Sequence, residues 1–219
     1  MNQAALEMLK KGGDELGVQL SPEQIEKLTL FARRLKEWNK KINLTAIKSD
    51  EDIAIKHFID SLALAKYIED DVSLLDIGSG AGFPSIPLKI VKPQLKVTSI
   101  DAVGKKIFFQ RNIARLLSFG GFKAIHGRVE QLEPEDSEKF DIIVSRAFSS
   151  IPAYGRIAGP LLKDKGTIIA MKGKEGKVEL EQSEKILGEL GLVVRKCEEF
   201  CLPFSGDARC LIFMNHKIC

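Results

Sequence analysis

Residues 74–88 read LLDIGSGAGFPSIPL. An apolar run holding one carboxylate, Asp76, passes into glycines at 78, 80 and 82, then into Phe83-Pro84. An apolar stretch that stops at a glycine turn and resumes apolar predicts a strand, a turn and a helix in that order. Glycine lets the chain turn sharply and leaves bare backbone for a ligand to approach. The spacing is G-x-G-x-G. A dinucleotide-binding turn, G-x-G-x-x-G, would need glycine where Phe83 stands, and a phosphate loop would need a Gly-Lys-Ser/Thr ending that is missing.

Working outward, the chain changes period at Val72. Seven strand-like runs follow: VSLLDIG, KVTSID, KAIHG, FDIIVSRAF, GTIIAMKG, LVVRKCEEFCL and ARCLIFMNHK. The first five alternate with helix-like stretches, and a further helix, KVELEQSEKILGELG, precedes the sixth. Such alternation predicts βαβ units in an α/β fold with a mostly parallel sheet. Only LPFSGD separates the last two runs, so they are expected to form an antiparallel hairpin at one edge. In such a sheet the ligand sits outside the carboxyl ends of the strands, near the first βα turn.

The first seventy residues read as helices. Ser21-Pro22-Glu23-Gln24 is a helix start, with serine as cap and Pro22 at the first position. The run after it puts Ile25, Leu28, Phe31, Leu35 and Trp38 on one face. The opposite face carries Arg33, Arg34, Lys36, Lys40 and Lys41. It reads either as a solvated surface or as a surface for phosphates. The expected division is a helical extension over residues 1–70 and an α/β domain over 71–219.

At 219 residues the chain has room for one α/β domain and a modest extension. With 44% hydrophobic and 29% charged residues it has a soluble globular composition. No apolar run is long enough to span a bilayer, and the N-terminal stretch lacks a signal-peptide core, so neither a membrane span nor a secretory signal is expected.

A cytoplasmic protein that works away from membranes is the expectation. The four cysteines, Cys197, Cys201, Cys210 and Cys219, cluster late in the chain and read as reduced thiols. Their spacings with His216 contain no C-x2-C pair, so no metal site is expected. A net charge of +3 permits a nucleic-acid partner without demanding one.

The carboxylates narrow the ligand. Asp76 stands just before the glycine turn, Asp101 closes the second strand, where an acid can hold both ribose hydroxyls, and Glu130 follows the third. Three acids around one ligand would repel a pyrophosphate. They suit a phosphate-free ligand with positive charge, such as S-adenosyl-L-methionine with its sulfonium and ammonium. The plainer alternative is that they cap helices and face water.

Seven motifs occur in order: WNKKINLTAI (38–47), KHFIDSL (56–62), LLDIGSGAGFPSIPL (74–88), GKK (104–106), GRVE (127–130), VSRAF (144–148) and MKG (171–173). Together they resemble the RsmG family, which methylates N7 of a guanine in 16S ribosomal RNA of the bacterial small subunit. The resemblance spans nearly the whole chain. It implies a Rossmann-like class I methyltransferase fold and S-adenosyl-L-methionine as cofactor. By motif it implies that Gly78 and Phe83 touch the cofactor while Gly80 and Gly82 shape the turn. It places Val129 and Glu130 at the adenine end and brings Arg146 to the cofactor's side of the cleft; Asp101 would hold the ribose as in related methyltransferases, and Asp76 joins these candidates from its place before the turn. Many members carry a glycine after the Phe-Pro pair; here it is Ser85, which leaves the binding expectation intact.

The implied partner is 16S ribosomal RNA in the small subunit or an assembly intermediate, met by a monomer. Arg33, Arg34, Lys40, Lys41, His57, Lys105, Lys106 and Lys172 are the candidate RNA contacts, with His57 alternatively a packed hydrogen-bonding residue. No catalytic residue is assigned, because neutral guanine N7 carries no proton to remove; Arg146 is the candidate for positioning the substrate. Competing function classes are a methyltransferase of a small molecule or protein, a nicotinamide-dependent oxidoreductase, and a ribosome-binding protein without catalysis. Phe83 in place of a glycine weighs against the second, and the intact turn with its acids against the third.

Overall fold

The computed structural model describes residues 1–132, 139–146, 148 and 150–217. Ala147 of the VSRAF motif and Cys219 therefore lie outside the described residues. The chain opens with α1 (Gln3–Glu15) and α2 (Pro22–Ile42). Ser21 caps α2 as expected: its side chain accepts from the Gln24 N–H, and the Gln24 side chain accepts from the Ser21 N–H. A continuous helical rod follows, formed by α3 (Asp50–Asp52), a π-helical segment (Ile53–Ile59) and α4 (Asp60–Leu62). The π-helical segment overlaps the first four residues of KHFIDSL, a type of irregularity that clusters at functional sites.

From Ser73 the expected alternation appears. It runs β1 (Ser73–Ile77), α5 (Ser85–Val91), β2 (Lys96–Asp101), α6 (Gly104–Leu116), β3 (Phe122–His126), β4 (Phe140–Ser145), α7 (Ile151–Ala158), β5 (Leu162–Lys172), α8 (Gly176–Glu189), β6 (Leu192–Cys201) and β7 (Ala208–His216). The seven strands form one sheet in the order β3-β2-β1-β4-β5-β7-β6. The first five are parallel, while β7 runs antiparallel to both β5 and β6. The closing hairpin is thus present, with β6 at the edge and β7 inserted beside β5. Strand order reverses between β1 and β4, which sets the ligand crevice at the carboxyl end of β1.

Period-two alternation divides the core. Leu75, Ile77, Ile143, Ile168 and Ile212 pack on one face with Tyr154 of α7 and Leu180 of α8. Leu74, Val144, Ile169, Leu211 and Phe213 pack on the other. A further cluster joins Leu9, Leu28, Phe31, Leu35 and Phe58 from the N-terminal helices to Ile86 of α5 and Phe109 of α6. The Phe31 ring lies 5.1 Å from that of Phe83 and 6.0 Å from that of Phe109. The N-terminal helices therefore share a core with the glycine-turn region.

Candidate functional site

The glycine turn is held from three sides. The N–H groups of Gly78 and Ser79 donate to Ile100 O of β2 at 2.9 and 3.2 Å. Gln110 of α6 donates from Nε2 to Ser79 Oγ at 2.8 Å and to Gly80 O at 2.7 Å. Asp101 accepts the Gly80 N–H at 2.9 Å on one oxygen and the Val103 N–H at 2.8 Å on the other. Gly78, Gly80 and Gly82 all have positive φ, at 71°, 57° and 96°. That backbone region favours glycine, so these residues shape the turn by conformation.

A cleft of about 450 Å³ opens beside the turn, within the size range of small-molecule sites. Ile77, Gly78, Ile100, Asp101, Ala102, Gly127, Arg128, Val129, Glu130 and Phe148 line it. Of the sequence candidates for cofactor binding, Gly78, Asp101, Val129 and Glu130 meet in this cleft. Arg128 also lines it; it stands inside the GRVE motif but was not among the candidates. Ile100 and Ala102 flank Asp101 and carry no sequence signal of their own.

Asp76 lies behind the cleft and is fully buried. Its Oδ2 accepts the Ser85 N–H at 3.2 Å, and its Oδ1 has no partner among the described residues. Burial pushes its carboxyl up to about 7, against the opposing pull of Ser85. A buried carboxylate oxygen without a donor is costly, and a cationic ligand group nearby would relieve it. Of the three acids, Asp101 and Glu130 line the cleft beside the open glycine backbone, and they fit a ligand carrying a ribose.

Phe83, His57 and Arg146 lie outside the lining of this cleft, as do Asp76, Gly80 and Gly82. Phe83 is buried. Its ring stacks on His57, with centroids 4.1 Å apart, and packs against Phe31. His57, a candidate for the RNA surface, is only 5% exposed. It is the packed residue of the two readings, because the helical rod turns it inward onto Phe83. Its Nδ1 faces the Arg146 guanidinium at 3.4 Å, which can only donate. The ring proton therefore belongs on Nε2, donated to Thr45 Oγ1 at 2.9 Å. Burial first, then the charge of Arg146, depress its pKa to about 3, so it is neutral.

Arg146 follows β4 and reaches across to the helical rod. It donates to Asp60 Oδ2 at 3.2 Å and to Lys56 O at 3.3 Å, and lies 5.5 Å from the Phe83 ring centre. Arg209 of β7 donates to the other Asp60 oxygen at 2.9 Å. One buried carboxylate thus holds two guanidiniums, and Asp207 lies 3.9 Å from the second of them, Arg209. Asp141 of β4 binds Ser73 and Lys163. Asp60 and Arg209 were not site candidates from sequence. Arg209 comes from the final hairpin, and nothing near it in the chain marks its destination.

The basic candidates also divide. Lys172 donates to Phe148 O and pairs with Glu179, so its ammonium is already engaged. Arg34 pairs with Glu37. Arg33, Lys40, Lys41, Lys105 and Lys106 make no ion pair among the described residues and remain available for phosphates. No helix of the described residues is long and apolar enough to cross a membrane.

A family model described as rRNA small subunit methyltransferase G matches residues 24–202. The chain belongs to this family. A ribosomal RNA small subunit methyltransferase G of Geobacter sp. (strain M21) is 53% identical over 217 residues, covering 99% of this chain and 100% of the relative. That of Geobacter sulfurreducens is 53% identical over 212 residues, covering 97% and 98%. A more distant relative of the same name, from Deinococcus radiodurans, is 37% identical over 221 residues, covering 99% and 87%. Among solved structures, Trm5b from Pyrococcus abyssi aligns with a TM-score of 0.59 at 14% identity, covering 81% of this chain and 52% of that one. TYW2 from P. horikoshii, in complex with MeSAdo, aligns with a TM-score of 0.60 at 18% identity, covering 73% and 62%. At such identities these likenesses concern the fold, which is that of the Rossmann-like class I methyltransferases.

Proposed function

We propose that the protein transfers a methyl group from S-adenosyl-L-methionine to N7 of a guanine in 16S ribosomal RNA. The observation that carries the reading is the cleft at the glycine turn, opening where the strand order reverses, in a chain of this family. The bound cofactor supplies an electrophilic methyl group. Asp101 and Glu130 would hold the ribose and adenine end, and Gly78 offers bare backbone to the methionyl part. Asp76 favours the ammonium, which would lower the pKa of its buried carboxyl.

N7 of neutral guanine has a free lone pair, so the residues need not remove a proton. Their work is orientation, which can supply roughly 7–11 kcal/mol. Arg146, set by Asp60 and stacked near Phe83, is placed to hold a guanine oxygen or a phosphate of the splayed nucleotide. A base inside folded RNA must leave its stack to reach such a site. We further read residues 1–70 as an extension that contacts RNA and 71–219 as the catalytic domain. The protein acts as a monomer in the cytoplasm, on the small subunit or an assembly intermediate.

The test is incubation of small subunits lacking the modification with the protein and methyl-labelled S-adenosyl-L-methionine, followed by nucleoside analysis. Label in N7-methylguanosine is expected. Label in another nucleoside would overturn the target atom, and absence of label from RNA would overturn the substrate.

A further inference from the structure

Among the described residues, the most exposed large apolar side chain is that of Phe108 on α6, 63% exposed. Isolated exposed apolar residues are ordinary, but this one is not isolated. Its ring lies 5.6 Å from that of Trp38 on α2, tilted by 49°. Trp38 in turn contacts Phe109 at 5.4 Å, so the pair is anchored to the buried aromatic cluster. A groove of about 650 Å³ runs beside it along α2, lined by Arg34, Glu37, Trp38, Lys40, Lys41 and Ile42. Lys40 and Lys41 are exposed and unpaired among the described residues. Arg34 pairs with Glu37 through one end of its guanidinium, while its Nε has no hydrogen-bond partner among the described residues. On α6, Lys105 lies three residues before Phe108 and Arg115 seven after, both exposed and on the Phe108 face. An exposed aromatic edge between two rows of free cations matches a polyanion that also presents flat, apolar rings.

We propose that Phe108 and Trp38 form a stacking site for an unpaired base of the RNA substrate, with Lys40, Lys41 and Lys105 on the flanking phosphates. The inference rests on the RNA-methyltransferase reading and adds a second contact outside the cofactor cleft. Proteins that hold single-stranded nucleic acid combine aromatic platforms with basic grooves in this way. Phe108 lies about 6 Å along the axis from the start of α6, at the rise of a helix. That start directly follows Asp101 and Ala102 of the cleft. A nucleotide stacked here would neighbour the strand segment that delivers its base to the cofactor.

The chain has a single tryptophan, so Trp38 fluorescence reports on the site directly. The probe is a short unstructured RNA oligonucleotide, with inorganic polyphosphate as the control that offers charge without bases. RNA is expected to quench Trp38, and polyphosphate to bind with little quenching. Phe108→Ala should weaken RNA binding roughly ten-fold. It should leave the salt dependence, the melting temperature and its rise with S-adenosyl-L-methionine unchanged. Phe108→Tyr should keep the affinity, whereas Phe108→Leu should not. Unaltered affinity in Phe108→Ala, or full rescue by leucine, would overturn stacking. A Phe108→Ala defect on assembled subunits but not on protein-free RNA would overturn it in favour of a protein contact. Methyl transfer by the parent protein is read separately, so loss of stacking with transfer intact leaves the RNA-methyltransferase reading standing.

Discussion

Gly80 and Gly82 sit two residues apart in one turn, yet substitution should affect them differently. A Cβ on Gly80 would meet no atom within 4 Å, whereas one on Gly82 would lie 2.8 Å from Ile86 Cγ1 and closer still to Cδ1. Ile86 is fully buried and has little room to yield. Gly80→Ala should cost about 1 kcal/mol, the penalty of positive φ for an L-residue. Gly82→Ala should cost more than Gly80→Ala and also weaken cofactor binding; thermal unfolding and cofactor titration of both variants check this. Asp76 and His57 give opposite pH dependences. The raised Asp76 pKa means that the folded state binds the extra proton between about 4 and 7, so stability from this group falls as pH rises through that window. The depressed His57 pKa means that the unfolded state binds the extra proton between about 3 and 6.5, so stability from this group falls as pH drops through it. Relative to the parent, Asp76→Asn should gain stability toward pH 7, and His57→Gln should lose less stability toward acid. Melting curves from pH 4 to 8 measure both.

At the scale of elements, α2 serves two faces. Leu28, Phe31 and Leu35 are buried against the aromatic cluster, while Lys40 and Lys41 lie exposed near its C-terminal end. The sequence period separated those faces because side chains three and four apart share a side of a helix. The period did not say whether the basic face was bare or paired. Ion pairs join Arg34 to Glu37 and Lys36 to Asp50, leaving Lys40 and Lys41 free of them among the described residues. Replacing both lysines with glutamine should weaken RNA binding and reduce the slope of log affinity against log salt by about 1.4, the single-strand value for two phosphate contacts. A filter-binding series over salt concentration measures it. An unchanged slope would return this end of α2 to a plain solvated surface.

At the scale of the whole molecule, one crevice receives residues from several strand ends, so ligand and fold should be linked. S-adenosyl-L-methionine should raise the melting temperature, whereas NAD should not, since binding to the folded state alone stabilises it. A thermal shift with NAD only would overturn the cofactor assignment. The strands, the glycine turn and the closing hairpin were legible because periodicity and turn chemistry are carried by neighbours a few residues apart. Family membership was legible from seven ordered motifs. What the sequence left open were directions: which way His57 and Phe83 turn, and where Arg146 finds a counter-charge. Arg146 meets Asp60 across 86 residues of chain, and Arg209 meets it across 149. The sequence by itself determined the order of elements and the place of the cleft, since both follow from local pattern and strand topology. Only the tertiary structure decided that Asp60 holds two arginines and that His57 is buried and neutral, since both depend on how distant elements pack.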